Sequence, residues 1–139
     1  MENSMQSKEI EAIKTYIERA KNTLSDAKFS LDDMRLMNAQ NRIYYACFYI
    51  VKPLSLLDNF ITSKHKTLLD WFNNKYVYNE KIFPKELFEI YINAFYDRTN
   101  ADYSINIIFT KDEVVENYDK VKSFIETIEK HILERIDKK

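Results

Sequence analysis

The chain contains no glycine, only two prolines, one cysteine and one tryptophan in 139 residues. Without glycine, tight turns with positive φ and glycine-rich phosphate loops are expected to be unavailable. A P-loop or a dinucleotide-binding turn is thereby excluded as the basis of function. A single cysteine rules out an internal disulfide. Cys47 stands among apolar residues, where a buried, inert thiol is expected, in keeping with a reducing cytoplasm. No apolar run approaches the ~20 residues of a membrane span. The N-terminal stretch Met-Glu-Asn-Ser-Met-Gln-Ser-Lys lacks the apolar segment of a signal peptide. A cytoplasmic protein with no membrane contact is expected. Net charge is nearly absent too: 21 Lys and Arg stand against 22 Asp and Glu, a formal charge of −1. This argues against general, electrostatically driven nucleic-acid binding but leaves room for a small basic cleft.

What is present is aromatic and helical. Aromatic residues make up 14% of the chain, carried by ten tyrosines and nine phenylalanines. Many positions can then bury a ring and leave a hydroxyl wet. The length suits one domain over residues 1–139, with a core from roughly 5 to 135. Ile10, Ile13, Ile17, Ala20, Leu24 and Ala27 alternate spacings of three and four, one face of a helix from about Ser7 to Phe29. Asp32 and Asp33 suit a helix start. Leu36, Ala39, Ile43, Ala46, Ile50, Leu54 and Leu57 continue a second stripe to about Asn59, in which Pro53 predicts a kink near Tyr49 or Ile50, or an early end.

A short helix is expected from His65 to Tyr76, and Pro84 is placed to open a helix reaching Asp97 or beyond. Asp102 to Phe109 reads as a loop. Thr110 and Glu113 have capping-box spacing, and Val114, Tyr118, Val121, Ile125, Ile128 and Ile132 form a last stripe to near Ile136. The expected fold is all-α: an up-and-down bundle of four to five helices.

Two polar insertions interrupt these stripes: Asn41-Arg42-Ile43-Tyr44-Tyr45-Ala46-Cys47-Phe48 and Asp97-Arg98-Thr99-Asn100-Ala101-Asp102-Tyr103. Each sets an arginine among aromatics. An always-charged, five-donor fork near a core needs carboxylate, carbonyl or phosphate partners. The Asn41, Arg42 and Tyr45 group reads either as a bracing network or as the lining of a cleft shared with Arg98. Arg98 reads equally as a phosphate contact and as an ion pair closing a helix end. Asp102 reads as a partner of Arg98 or Arg42, as a cap of a nearby helix, or as a general base if its pKa were raised. His65, between Lys64 and Lys66 at a helix start, is either solvated or part of a small anion-binding spot. His131, in a charged helix, is expected at the surface. One cysteine and two separated histidines give no metal-ligand spacing, and no serine–histidine–acid arrangement is present. No metal and no cofactor are expected.

The order Asn41-Arg42-x-Tyr44-Tyr45-Ala46-x-Phe48, then Lys64-His65-Lys66, then Pro84-Lys-Glu-Leu87, then Arg98-x-x-Ala101-Asp102-Tyr103 resembles the HEPN family (higher eukaryotes and prokaryotes nucleotide-binding domain). The resemblance covers nearly the whole chain. It implies a helical bundle that commonly forms a homodimer. It also implies RNA or nucleotides as ligands and a toxin–antitoxin or defence-type setting, often beside a minimal nucleotidyltransferase antitoxin. In that family, metal-independent ribonucleases use an Arg-x(4–6)-His motif. Here Arg98 and the polar Asn100 match it, but Tyr103 stands where the histidine would be. The resemblance therefore implies Arg98, Asn100, Asp102 and Tyr103 as catalytic residues, with Arg98 on phosphate, Asn100 orienting it, and Tyr103 as a ligand contact or modification target. The missing histidine keeps open a catalytically silent nucleotide-binding or assembly module.

Overall fold

The first 52 residues contain no proline or glycine, and two long helices form, separated by one turn. α1 (Glu2–Asp32) and α2 (Leu36–Leu57) are joined by a three-residue turn and pack on one another more extensively than any other pair. The computed structural model describes residues 2–103 and 108–138, with side chains over 7–101 and 108–138. α3 (His65–Phe72) runs directly into a π-helical turn, Asn73–Asn79; α4 (Lys85–Tyr103) and α5 (Lys111–Asp137) complete the element order. Among the described residues there are five α-helices and no strand, an all-α bundle.

The apolar stripes form one core. Ile13, Ile17, Ala20, Leu24 and Ala27 of α1 are buried, as are Ala39, Ile43, Ala46, Ile50 and Leu54 of α2. α5 adds Val114, Val121, Ile125, Ile128 and Ile132. Leu68, Leu69, Phe72 and Tyr91 come from α3 and α4. α5 packs on both α1 and α2, and α4 packs on α2 and α5, so α2 lies at the centre. Cys47 is fully buried, and burial drives its thiol pKa up, which keeps it unreactive.

The turns correct the glycine argument. Met34 (φ 61°), Asn59 (φ 58°) and Lys81 (φ 51°) all adopt the left-handed conformation without glycine. At the end of α1, Arg35 N–H donates to the Ser30 carbonyl (2.8 Å) and Met34 N–H to Leu31 (3.0 Å). At the end of α2, Phe60 N–H donates to Ser55 (2.8 Å) and Asn59 N–H to Leu56 (3.3 Å). Both are Schellman closures, which glycine usually makes. Two recovered backbone bonds at each end offset the ~1–2 kcal/mol that a side chain costs in this conformation.

Other expectations shift. Asp32 ends α1 and does not open α2; Asp33 lies in the turn, and its carboxylate accepts from Arg35 (2.8 Å). α2 continues through buried Pro53 to Leu57, where the Schellman closure and a Ser55 hydroxyl bond to the Lys52 carbonyl (2.7 Å) hold the last turn. Pro84 precedes α4 as its flanking residue, and Leu87 N–H donates to its carbonyl (3.0 Å). Asp102 and Tyr103 belong to the helical backbone of α4, not to a loop. The Thr110–Glu113 capping box forms as expected.

Candidate functional site

Tyr44, Phe48 and Lys52 recur every four residues on one face of α2. Lys52 Nζ donates to the Thr62 carbonyl (2.7 Å), and Thr62 Oγ1 accepts from Lys64 N–H (3.1 Å). These bonds lay the connecting segment along α2, so that α3 begins beside Phe48. His65, its first residue, stacks on the Phe48 ring at 4.1 Å between centroids, with 12° between planes. Its Nδ1 shares a 2.7 Å hydrogen bond with the buried Tyr44 hydroxyl. His65 is therefore half-buried and fixed, not solvated. Burial lowers its pKa from 6.5, and the positive charges of Arg98 and Lys52 lower it further, which favours the neutral ring. Burial also holds the Tyr44 hydroxyl well above the ordinary phenol range.

Arg98 reaches the same rings from α4. Its Cζ lies 5.4 Å from the Tyr44 ring centroid and 5.3 Å from that of Tyr45. Arg42 reaches Tyr45 from α2 itself, with Cζ 5.0 Å from the ring, and its Nε and Nη2 donate to Asn41 Oδ1 (3.1 and 2.8 Å). Tyr45 also meets His65 edge-on, at 5.6 Å. Both arginines and Tyr45 are half-exposed, so this face meets solvent. Guanidinium groups over ring faces are stabilised by the ring quadrupole.

Five of the eight sequence-derived candidates are thus gathered: Asn41, Arg42, Tyr45, His65 and Arg98. Asn100 is not. It is exposed and lies two residues beyond Arg98 on α4, about 200° around the helix. The side chains of Asp102 and Tyr103 lie outside the described residues. Tyr44 was missed as a site residue; the signal for it was the four-residue spacing with Phe48 and Lys52. Asp97 directly precedes Arg98 on α4. It is half-buried, and burial followed by the nearby Glu113 charge raises its pKa.

His131 is not a surface residue. Its ring packs edge-on against Tyr76 and Phe83 (6.0 and 5.3 Å) with Nε2 buried, and burial lowers its pKa. It adjoins a second polar group, remote in sequence from the first. Asp58 accepts from Arg135 Nη2 (2.8 Å) and from the Tyr76 hydroxyl, which in turn accepts from Arg135 Nη1 (2.7 Å). Burial alone would raise the Asp58 pKa, but these bonds outweigh it and the pKa falls. Each member is satisfied by the others, and the network braces the ends of α2, the π-helical turn and α5.

Other grooves lie elsewhere on the bundle. One of about 320 Å³ is lined by Ile43, Asn93 and Asn117, another of about 730 Å³ by Val77, Ile82 and Phe88. Neither lining contains histidine or arginine. Convergent charge and a fixed imidazole single out the Arg98–Tyr45–His65 face. Among the described residues no helix is long and apolar enough to cross a membrane, and no cluster has metal-binding composition.

Residues 13–131 match the HEPN domain. The chain is 40% identical over 114 residues to "UPF0332 protein" of Thermotoga maritima, covering 82% of this chain and 86% of that one. It is 31% identical over 120 residues to "Putative toxin MJ0142" of Methanocaldococcus jannaschii, covering 86% and 80%. A second protein of that archaeon, "Putative toxin MJ0605", is 29% identical over 124 residues, covering 89% and 91%. With most of its length inside the matched domain, the chain belongs to the HEPN family.

Proposed function

We propose that this HEPN protein binds RNA or nucleotides through the Arg98–Tyr45–His65 face, as a component of a toxin–antitoxin or defence-type system. The observation that carries the reading is two guanidinium groups, Arg42 and Arg98, placed over one half-exposed tyrosine ring. Phosphate takes bidentate donors from such groups, and aromatic rings beside them suit unstacked bases. Local positive charge on a near-neutral chain favours a short site over a long electrostatic track. The names of the archaeal relatives support the toxin setting. Within it, the proposed partners are a second copy of the chain and a minimal nucleotidyltransferase acting as antitoxin.

A second reading is a catalytically silent binding or assembly module. Tyr103, standing where the family's nuclease motif carries histidine, favours it. Both readings use the same face. The test is binding of a labelled RNA to the purified chain and to Arg98→Ala, with melting temperatures measured in parallel. At least a tenfold loss of affinity at unchanged melting temperature is expected. Equal affinity of the two proteins would overturn the Arg98-centred site.

A further inference from the structure

We propose that the groove between the π-helical turn and the start of α4 binds a small amphiphilic anion, a ligand with an apolar body and a carboxylate head. The groove shares no residue with the Arg98–Tyr45–His65 face, so the inference stands whether or not that face binds RNA.

Its lining is mostly apolar and comes from three successive segments. Val77 and Tyr78 belong to the π-helical turn, Ile82 and Phe83 to the connecting segment, and Phe88 to α4. Tyr78 is 73% exposed and Ile82 39%, which leaves apolar area at the surface for a ligand to cover. Ile82 N–H and Phe83 N–H both donate to the Tyr76 carbonyl (2.8 and 3.1 Å). These bonds fold the connecting segment back on the turn, so the groove is formed before a ligand arrives. Its volume of about 730 Å³ falls within the ~300–1,000 Å³ of small-molecule sites. Nine residues line it, against roughly 20–30 a side in a stable protein interface, which favours a small ligand over a protein partner.

Charge decides the head group. The lining carries two ammonium groups, Lys81 and Lys85, and no carboxylate. Among the described residues Lys81 has no ion-pair partner. Lys85 Nζ lies 4.0 Å from Glu89 Oε2, and both side chains are exposed, so water screens the pair. Glu86 and Glu89 line the other groove, beside Ile43, where Lys120 is held by Glu116 (3.0 Å). α4 therefore sorts its charge between the two grooves. A carboxylate head meets two ammonium groups while its apolar body covers Val77 and Ile82; a cationic head meets repulsion.

The test titrates the full chain at pH 7.5 with dodecanoate, below its micelle concentration, followed by calorimetry and methyl NMR. Saturable, submillimolar binding is expected, with shifts at the Val77 and Ile82 methyls and none at Ile61 and Ile108, exposed apolar residues outside the groove. Dodecyltrimethylammonium, the same chain with a cationic head, is expected to bind at least tenfold more weakly. Lys81→Glu combined with Lys85→Glu changes two exposed side chains and is expected to reverse that order at unchanged melting temperature. The comparison of heads on the wild type stands even if the double variant fails to fold. No dodecanoate binding, equal affinity for the two heads, shifts shared by Ile61 and Ile108, or a folded double variant with the wild-type preference would each overturn the proposal. Val77 and Ile82 signals that broaden with protein concentration alone would assign the groove to a second copy of the chain. A leucine- and glutamate-rich peptide that shifts them where dodecanoate does not would assign it to a protein partner. Either result would overturn the small-ligand assignment.

Discussion

Tyr44 and His65 are 21 residues apart in sequence and joined by a 2.7 Å hydrogen bond between the phenol oxygen and Nδ1. The bond crosses from the middle of α2 to the first residue of α3, so one phenol ties the buried centre of the bundle to a half-buried helix start. Tyr44→Phe keeps every ring contact and removes only the bond. It is expected to lower stability by about 1 kcal/mol, the net value of a partly buried hydrogen bond. The His65 ring, no longer held at Nδ1, is expected to show broadened or shifted imidazole resonances while those of His131 stay put. Unchanged His65 resonances would show that Phe48 stacking alone positions the ring.

Stability should fall with acid in two separate windows. His65 and His131 both have folded pKa values below 6.5 because burial penalises the imidazolium. The unfolded chain then binds more protons than the folded one as pH drops below about 6.5. Stability is full above that value and declines until the folded pKa values are passed. Asp58 is shifted the other way for a carboxylate, below 3.8, so its contribution persists to lower pH and is lost only as pH falls through the folded value. Denaturant titrations at pH 7.5, 5 and 3 should show a first loss between 7.5 and 5. Replacing His131 by Gln should shrink that first loss and leave the second unchanged.

The Asp58 network offers a sharper test of bracing. Its carboxylate is 7% exposed, and both Arg135 and Tyr76 point hydrogen-bond donors at it. Asp58→Ala removes the carboxylate acceptor from a half-buried guanidinium and a fully buried phenol. A loss of about 2–4 kcal/mol is expected, larger than for Arg135→Met, which removes the charge together with its need for a partner. The two changes combined should cost clearly less than their sum, as residues of one network do. Urea unfolding of the four proteins closes the cycle, and strict additivity would show that Asp58 and Arg135 act independently.

How far the sequence could be read depended on the range of the interaction. The apolar stripes of α1, α2 and α5 repeat every three to four residues, so Ile13, Ile43 and Ile128 could be placed in the core from spacing alone. The Thr110 cap lies three residues from its Glu113 partner and was equally legible. Arg98 and Arg42 stood out because an arginine among aromatics must be held by something. What could not be read were pairings across the fold. Tyr44 finds His65, and Asp58 finds Arg135 77 residues away, through helix packing that no local pattern encodes. The turns were misread for a different reason. Glycine is the usual occupant of a left-handed closure, but two recovered backbone bonds let Met34 take its place.

That substitution has a measurable cost. Met34 sits at φ 61° and is 57% exposed, so little burial is lost by trimming it. Met34→Gly should relieve ~1–2 kcal/mol of left-handed strain against roughly 0.5–1 kcal/mol of added unfolded-state entropy. The net expectation is a gain of about 0.5 kcal/mol. Met34→Ala keeps the strain and should give no gain. Asn59→Gly should be close to neutral, because asparagine already tolerates this conformation. Melting temperatures of the three variants rank the effects directly. A Met34→Gly protein no more stable than the wild type would mean that the methionine side chain contributes contacts equal to the strain.

Arg42 separates stacking from charge at the proposed RNA face. Its guanidinium is turned by Asn41 Oδ1 and lies over Tyr45, so its orientation is set before any ligand arrives. Arg42→Ala is expected to weaken RNA binding about five- to tenfold and to reduce the slope of log affinity against log salt by about 0.7, one single-strand phosphate contact. Arg42→Lys should recover the slope, because charge is retained. It should not recover the affinity, because an ammonium cannot make the flat stack and the bidentate contact together. Asn41→Ala tests the same idea without touching charge, and should leave the slope intact while weakening binding through a freed guanidinium. If Arg42→Ala changes affinity but not slope, the arginine holds Tyr45 for a base and does not meet phosphate; if neither changes, the docking face lies on the Arg98 side alone.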